Sequence, residues 1–272
     1  MAKLSALTAS IIRHIMVFGP PKSGKTELCG KLAKYKKLIW FDLEMGFATL
    51  FKLPTELQDK IELIAIPDNR GNPMAIETML KVIKGTKVSI CESHGKVSCP
   101  FCAKLEMTTA GSAPSTTIEL NALDDDTCVV VDSITQLTNS AIANITKTQP
   151  VDYKLTYDDW AHLGKLMDTF LSYVQSARFN IICISHELGV KMNDGTEKLV
   201  PTAGTTNFSR NSAKYFDDVV YTRVANGKHT FNSSTTAVNS VLTGSRAGVD
   251  LAKEAKEGEV NLIALWKQES VK

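Results

Sequence analysis

No stretch of this chain approaches the roughly 20 consecutive apolar residues that a membrane-spanning helix requires. The first residues, MAKLSALTASIIRH, also fail as a secretory signal, because their apolar stretch is interrupted early and runs on into a strand pattern. Bulk charge is equally scarce. Against 29 Asp and Glu stand 31 Lys and Arg, a net charge of +2, so any contact with a polyanion must come from a local patch and not from a global field. A disulfide framework is missing too: Cys29, Cys128 and Cys183 fall inside predicted helix or strands, and the other three cysteines cluster within twelve positions. That usage fits a reducing, cytoplasmic setting. Neither internal repeats nor coiled-coil heptads occur. What remains is a 272-residue chain, 43% apolar, with ample material for a packed core.

What is present is organised around Gly19-Pro20-Pro21-Lys22-Ser23-Gly24-Lys25-Thr26, which meets the phosphate-loop pattern G-x-x-x-x-G-K-[ST] at every fixed position. An apolar run with one polar interruption, Ile11 to Phe18, precedes it and a helix-forming run, Glu27 to Lys36, follows. In that context the backbone N–H groups cradle phosphates and the helix adds the positive end of its dipole. Lys25 is expected to reach the β- and γ-phosphates and Thr26 to hold Mg²⁺.

Strand and helix patterns then alternate, which implies a mostly parallel α/β sheet. Strands are predicted at Lys37–Leu43, Ile61–Ile66, Thr127–Val131 and Asn180–Ser185, and helices to about Phe51, over Pro73–Lys84, Ser133–Thr146 and Asp158–Ala177. Thr205–Phe216 also reads as helix. Asp194-Gly195 and Asn226-Gly227 signal hairpins, and a last strand is expected at Val260–Trp266. The whole of 1–272 reads as one domain, interrupted at 85–121 by an insertion and a flexible connector rich in Thr, Ser, Ala, Gly and Pro.

A phosphate loop needs a facing carboxylate, and Cys128-Val129-Val130-Val131-Asp132 delivers Asp132 at a strand end as the second Mg²⁺ residue. Another carboxylate, Glu44, ends the strand that follows the phosphate-loop helix. With GPPKSGKT, IWFDLEMG, IPDNRGNPMAIETML, CVVVDSITQL, FNIICISHE and NSAKYFDDVVYTRV in this order, the chain resembles the RecA/Rad recombinase family. Within that family it is most similar to the minimal, phage-encoded RecA-like ATPases linked to single-strand annealing, since it lacks the large C-terminal domain of RecA and the helical N-terminal domain of the Rad proteins.

The resemblance implies a RecA-like ATPase core that uses ATP and Mg²⁺, with Glu44 as the catalytic base and His186 in the place of the family's γ-phosphate-sensing glutamine. It implies single-stranded DNA as a partner, a homo-oligomer as ring or filament, and action in phage recombination or annealing inside an infected bacterial cell, with a single-strand DNA-binding or replication protein as a further partner. The DNA loops would be 147–157 and 187–206, with cations Lys147, Lys154, Lys191 and Lys198 and rings Tyr153, Tyr157 and Phe208. Arg246, with Lys228 as its competitor, is the residue expected to cross a subunit interface to a neighbour's γ-phosphate. Two other classes stay open: an ATP-gated adaptor for replication or recombination proteins, and a P-loop motor or phosphotransferase that does not act on DNA.

One motif lies outside the resemblance. Cys91-x₂-His94 and Cys99-x₂-Cys102 are two ligand pairs, each able to turn both donors toward one ion, and together they form a tetrahedral set suited to structural Zn²⁺.

Overall fold

The computed structural model describes residues 12–108, 114–192, 195–234, 240–246, 248–253 and 260–266. Its first half runs through β1 (His14–Gly19), α1 (Lys25–Gly30), β2 (Lys37–Asp42), α2 (Thr55–Gln58), β3 (Ile61–Ala65) and α3 (Met74–Val82). A small block follows: β4 (Val88–Cys91), β5 (Lys96–Val97), α4 (Pro100–Thr108) and β6 (Ser115–Ile118). The chain then continues through β7 (Thr127–Asp132), α5 (Ile134–Thr146), α6 (Tyr157–Gln175), β8 (Asn180–Lys191), β9 (Glu197–Pro201), α7 (Thr206–Asn211), β10 (Asp218–Ala225), β11 (Lys228–Asn232) and β12 (Gly244–Ser245).

Apolar strands with no polar face must be covered on both sides. Alternation along each strand shows how this happens. Met16, Phe18, Ile39, Phe41, Val129 and Val131 point to one face, where Ile134, Met167 and Phe170 of α5 and α6 cover them. Ile15, Val17, Leu38, Trp40, Cys128 and Val130 point to the other, against Leu28, Leu32 and the C-terminal Leu262 and Leu265. Full burial of each such side chain is worth about 1.5–3 kcal/mol, which makes these strands the rigid part of the molecule.

The resulting nine-stranded sheet has the order β11-β10-β1-β8-β7-β2-β3, with β12 on β10 and β9 on β8. From β10 to β3 every neighbouring pair is parallel. All these strands therefore end at one edge, and β8 separates the strand before the phosphate loop from the strand that carries Asp132. The small block forms a second sheet, β5-β4-β6.

Several expected elements are altered. Helix α1 stops at Gly30 and tightens into a 3-10 turn, Lys31–Lys34; Leu50 and Leu53 pack so closely there that a side chain at 30 would meet them at 2.8–2.9 Å. The helix expected up to Phe51 is a 3-10 turn, Phe47–Lys52. The strand expected at Val260–Trp266 is a correction: Leu262–Trp266 is a 3-10 helix whose Leu262, Ala264 and Leu265 are buried and whose start is held by Asn261, bonded to Lys31 O at 2.9 Å. Strand β8 runs six residues beyond Ser185 and pairs antiparallel with β9, as the Asp194-Gly195 signal implied; residues 193–194 themselves lie outside the described residues. Part of the connector expected to be flexible is strand β6, paired with β4; residues 109–113 of that run lie outside the described residues.

Candidate active site

The phosphate loop is pinned from the neighbouring strand. Ser23 Oγ lies 2.6 Å from Thr222 Oγ1 of β10, and a side chain at Gly19 would meet Thr222 O at 2.0 Å, so only glycine lets the loop approach β10. Gly24 has φ +89°, and a side chain there would meet His229 Nδ1 at 2.7 Å. Backbone and space both require glycine. Lys25, buried, turns its ammonium onto the loop's own carbonyls, 3.0 Å from Gly19 O and 2.8 Å from Pro20 O. Burial, set against the fields of Asp132 and Glu44, holds its pKa below the usual lysine value.

Three strand ends converge opposite this loop. In-register pairing sets Asp42 beside Asp132, and the Leu43 N–H donates to Asp132 O at 2.7 Å. Thr26 Oγ1 donates to Asp132 Oδ2 at 3.1 Å, which brings the two expected Mg²⁺ residues together. Asp132 is 6% exposed, and burial first, then Glu44 and Asp42, push its carboxyl up to about 7. A cation beside it would relieve that crowding, so hydroxyl and carboxylate fit Mg²⁺, which supplies positive charge to the β- and γ-phosphate oxygens when bound. The Asp132–Ser133 peptide is cis.

Glu44 is placed by Asp42, which accepts hydrogen bonds from the N–H groups of Glu44, Gly46 and Phe47 at 3.0–3.1 Å. Its carboxylate accepts from Ser133 Oγ and lies 3.5 Å from His186 Nε2. The His186 hydrogen bond, ahead of burial, holds Glu44 below the usual carboxylate range, so it is ionised at neutral pH. The other face of His186 meets Lys25, with Nδ1 3.5 Å from Nζ. Lys25, Thr26, Glu44, Asp132, Ser133 and His186, with Pro21, Lys22, Thr49, Lys52 and His229, line one cleft of about 560 Å³, within the roughly 300–1,000 Å³ usual for small-molecule sites.

The remaining expected residues are more dispersed. Arg246 forms a 2.9 Å ion pair with Asp217, at the start of β10 and so at the end of the sheet opposite the phosphate loop. Lys228 lies at the far end of β10, on the phosphate-loop side. Lys147 is 3.9 Å from Glu77, and Lys154 is exposed. On the β8–β9 hairpin Lys191 pairs with Glu197 and Lys198 with buried Val190, so the two lysines sit on opposite faces of the ribbon. Of the three rings, Tyr153 is bonded to Asp159 and Phe208 stacks on Tyr215, whereas Tyr157 is 87% exposed.

Sequence reasoning missed Asp42, Ser133 and His229. Asp42 and Ser133 flank residues it did select, but their roles depend on the in-register pairing of β2 with β7. His229, whose Nδ1 lies 2.9 Å from Ser23 O, had no motif signal; only the β10–β11 hairpin carries it over the phosphate loop.

A phosphate loop, a paired Thr and Asp for a divalent cation and a carboxylate at the adjoining strand end define a P-loop nucleoside triphosphatase. A family model described as an AAA domain matches residues 13–241, and the chain belongs to that family. It is accordingly an ATP-binding and ATP-hydrolysing protein with Mg²⁺ as the implied cation. No curated protein matches the sequence. Among the described residues no helix is long and apolar enough to cross a membrane.

Proposed function

We propose that this ATPase is a RecA-like protein that binds single-stranded DNA as a homo-oligomer and uses the nucleotide state to control that grip, in recombination or annealing. Glu44 acts on the attacking water, Lys25 and the phosphate-loop N–H groups hold the phosphates, and His186 reads the γ-phosphate.

The observation that carries this reading is the continuity of β8. His186 sits on the same unbroken strand as the hairpin, only five residues from Lys191. Its N–H donates to Thr135 Oγ1 at 2.9 Å, its carbonyl accepts from Thr202 N of the returning strand at 2.9 Å, and the next residue, Glu187, accepts from Tyr221 at 2.8 Å. A shift of His186 toward a phosphate therefore has a stiff path to the hairpin. The same edge of the sheet presents the start of α6, where exposed Tyr157 and Trp160 border a cleft of about 440 Å³ with Thr205, Thr206 and Asn207. Rings of this kind stack on bases, each worth about 1–3 kcal/mol, while lysines supply salt-sensitive phosphate contacts.

Fluorescence anisotropy of a single-stranded oligonucleotide, with and without a non-hydrolysable ATP analogue, tests the proposal. Binding is expected to tighten with the analogue, weaken with salt and fall on Tyr157→Ala. Nucleotide-independent affinity, or ATP turnover with no detectable binding to DNA, would turn the reading toward an adaptor or a phosphotransferase.

A further inference from the structure

Cys91, His94, Cys99 and Cys102 take no part in the nucleotide site, yet their ligand atoms all lie within 4.8 Å of one another. His94 Nδ1 is 3.6 Å from Cys99 Sγ and 3.5 Å from Cys102 Sγ. Around one tetrahedral zinc, Zn–S of about 2.3 Å and Zn–N of about 2.0–2.1 Å place sulfur and nitrogen roughly 3.5 Å apart. The cage thus has the spacing of a mononuclear site. An iron–sulfur cluster would spread its ligands over more than one iron, and a set this narrow encloses a single ion.

Local backbone explains how the donors meet. The Gly95 N–H bonds Cys91 O at 2.8 Å and closes the turn that brings His94 back over Cys91. On the other side, the Ala103 N–H bonds Cys99 O at 3.0 Å and opens α4, so that Cys99 and Cys102 share one turn. Three soft thiolates and one imidazole complete a coordination shell with no open position, which suits a structural ion and not a catalytic one.

The turn does not stand alone. A side chain at Gly95 would meet Ile66 Cα at 2.9 Å, Thr78 Oγ1 donates to Gly95 O at 2.8 Å, and Lys96 lies 3.4 Å from Glu77. These contacts press the His94 turn against the corner between β3 and α3. That corner carries Asp68, which accepts from Ala75 N at 2.9 Å and from Gln136 and Ser140 of α5 at 2.8 Å.

We propose that Cys91, His94, Cys99 and Cys102 bind one structural Zn²⁺ ion, which holds the His94 turn and through it braces the corner between β3 and α3. Metal binding then supplies part of the folding free energy of 88–102, where the buried apolar side chains besides the three cysteines are Ile90 and Val97.

Elemental analysis of the full chain, purified without chelator, should find about one zinc per chain and no iron. His94→Cys, which keeps four donors, should retain the zinc, while His94→Ala should lose most of it. Hydrogen exchange measured before and after zinc removal should show residues 66–78 and 88–102 losing protection together while β1 and β7 keep theirs. Substoichiometric zinc in freshly purified folded protein, a Cys99–Cys102 disulfide, or wild-type zinc in His94→Ala would overturn the site. Unchanged protection of 66–78 after zinc removal would overturn the bracing role. The wild-type measurements decide both points even if a variant fails to fold.

Discussion

His186 Nε2 lies 3.5 Å from Glu44 Oε1, so the strand that leads to the hairpin ends its rigid portion on the carboxylate expected to act on water. Because Nδ1 of the same ring faces Lys25, His186 bridges the carboxylate and the ammonium between which a γ-phosphate is expected to sit. His186→Ala should therefore bind nucleotide but lose phosphate-dependent tightening on DNA, with turnover down by on the order of 10²-fold, the usual cost of a lost donor to developing charge. His186→Gln, which keeps a donor, should recover much of both. Steady-state ATPase and oligonucleotide anisotropy on the two variants check this.

Gly24→Ala should fold, since the position lies in a loop, and should lose nucleotide affinity, because alanine at φ +89° is strained and its methyl would displace His229. A drop of about 5- to 150-fold in a fluorescent-nucleotide titration is expected, on a strain of roughly 1–3 kcal/mol.

His14 sets a pH dependence of stability. Its ring lies 3.4 Å from Asp217 Oδ2 and 3.2 Å from Ala177 O, yet burial outweighs the attraction of Asp217 and holds its pKa below the usual 6.5. The folded state thus binds a proton less readily than the unfolded state, so His14's contribution is intact above pH 6.5 and is lost as pH falls below it. Urea midpoints at pH 7.5 and 5.5 should converge in His14→Gln relative to wild type; an equal pH effect in both proteins would contradict the assignment.

Arg246 is 65% exposed and paired with Asp217, so Arg246→Ala should cost only about 0–1 kcal/mol of stability. If the residue also serves a neighbour's phosphate, Arg246→Ala and Lys25→Ala subunits mixed under conditions where hetero-oligomers form should regain ATPase activity. No recovery would leave Arg246 with its ion pair alone.

The parts of the molecule legible in the sequence were those that elementary physics over-determines. The phosphate loop was readable because its fixed glycines and lysine answer one geometric need, and the central strands because runs such as Cys128–Val131 can only be buried on both faces. The clustering of Cys91, His94, Cys99 and Cys102 was readable from their spacing. Tertiary packing decided the rest. The short apolar run in Val260–Trp266 suggested a strand, but such a run fits a 3-10 turn equally well once Asn261 accepts from the Ile263 N–H and the sheet face is there to cover. The polar composition of Ser115–Ile118 concealed a strand whose partner, β4, lies more than twenty residues earlier. His229 became visible only through the register of β10 with β11.

The central claim is that Glu44 performs the hydrolytic step and takes no part in holding the nucleotide. Phosphate release by Glu44→Gln, measured beside nucleotide affinity on the same preparation with Lys25→Ala as the non-binding reference, tests it most directly. Affinity within about threefold of wild type together with turnover reduced by at least about 10²-fold is the predicted result. Turnover near wild type in Glu44→Gln would contradict it.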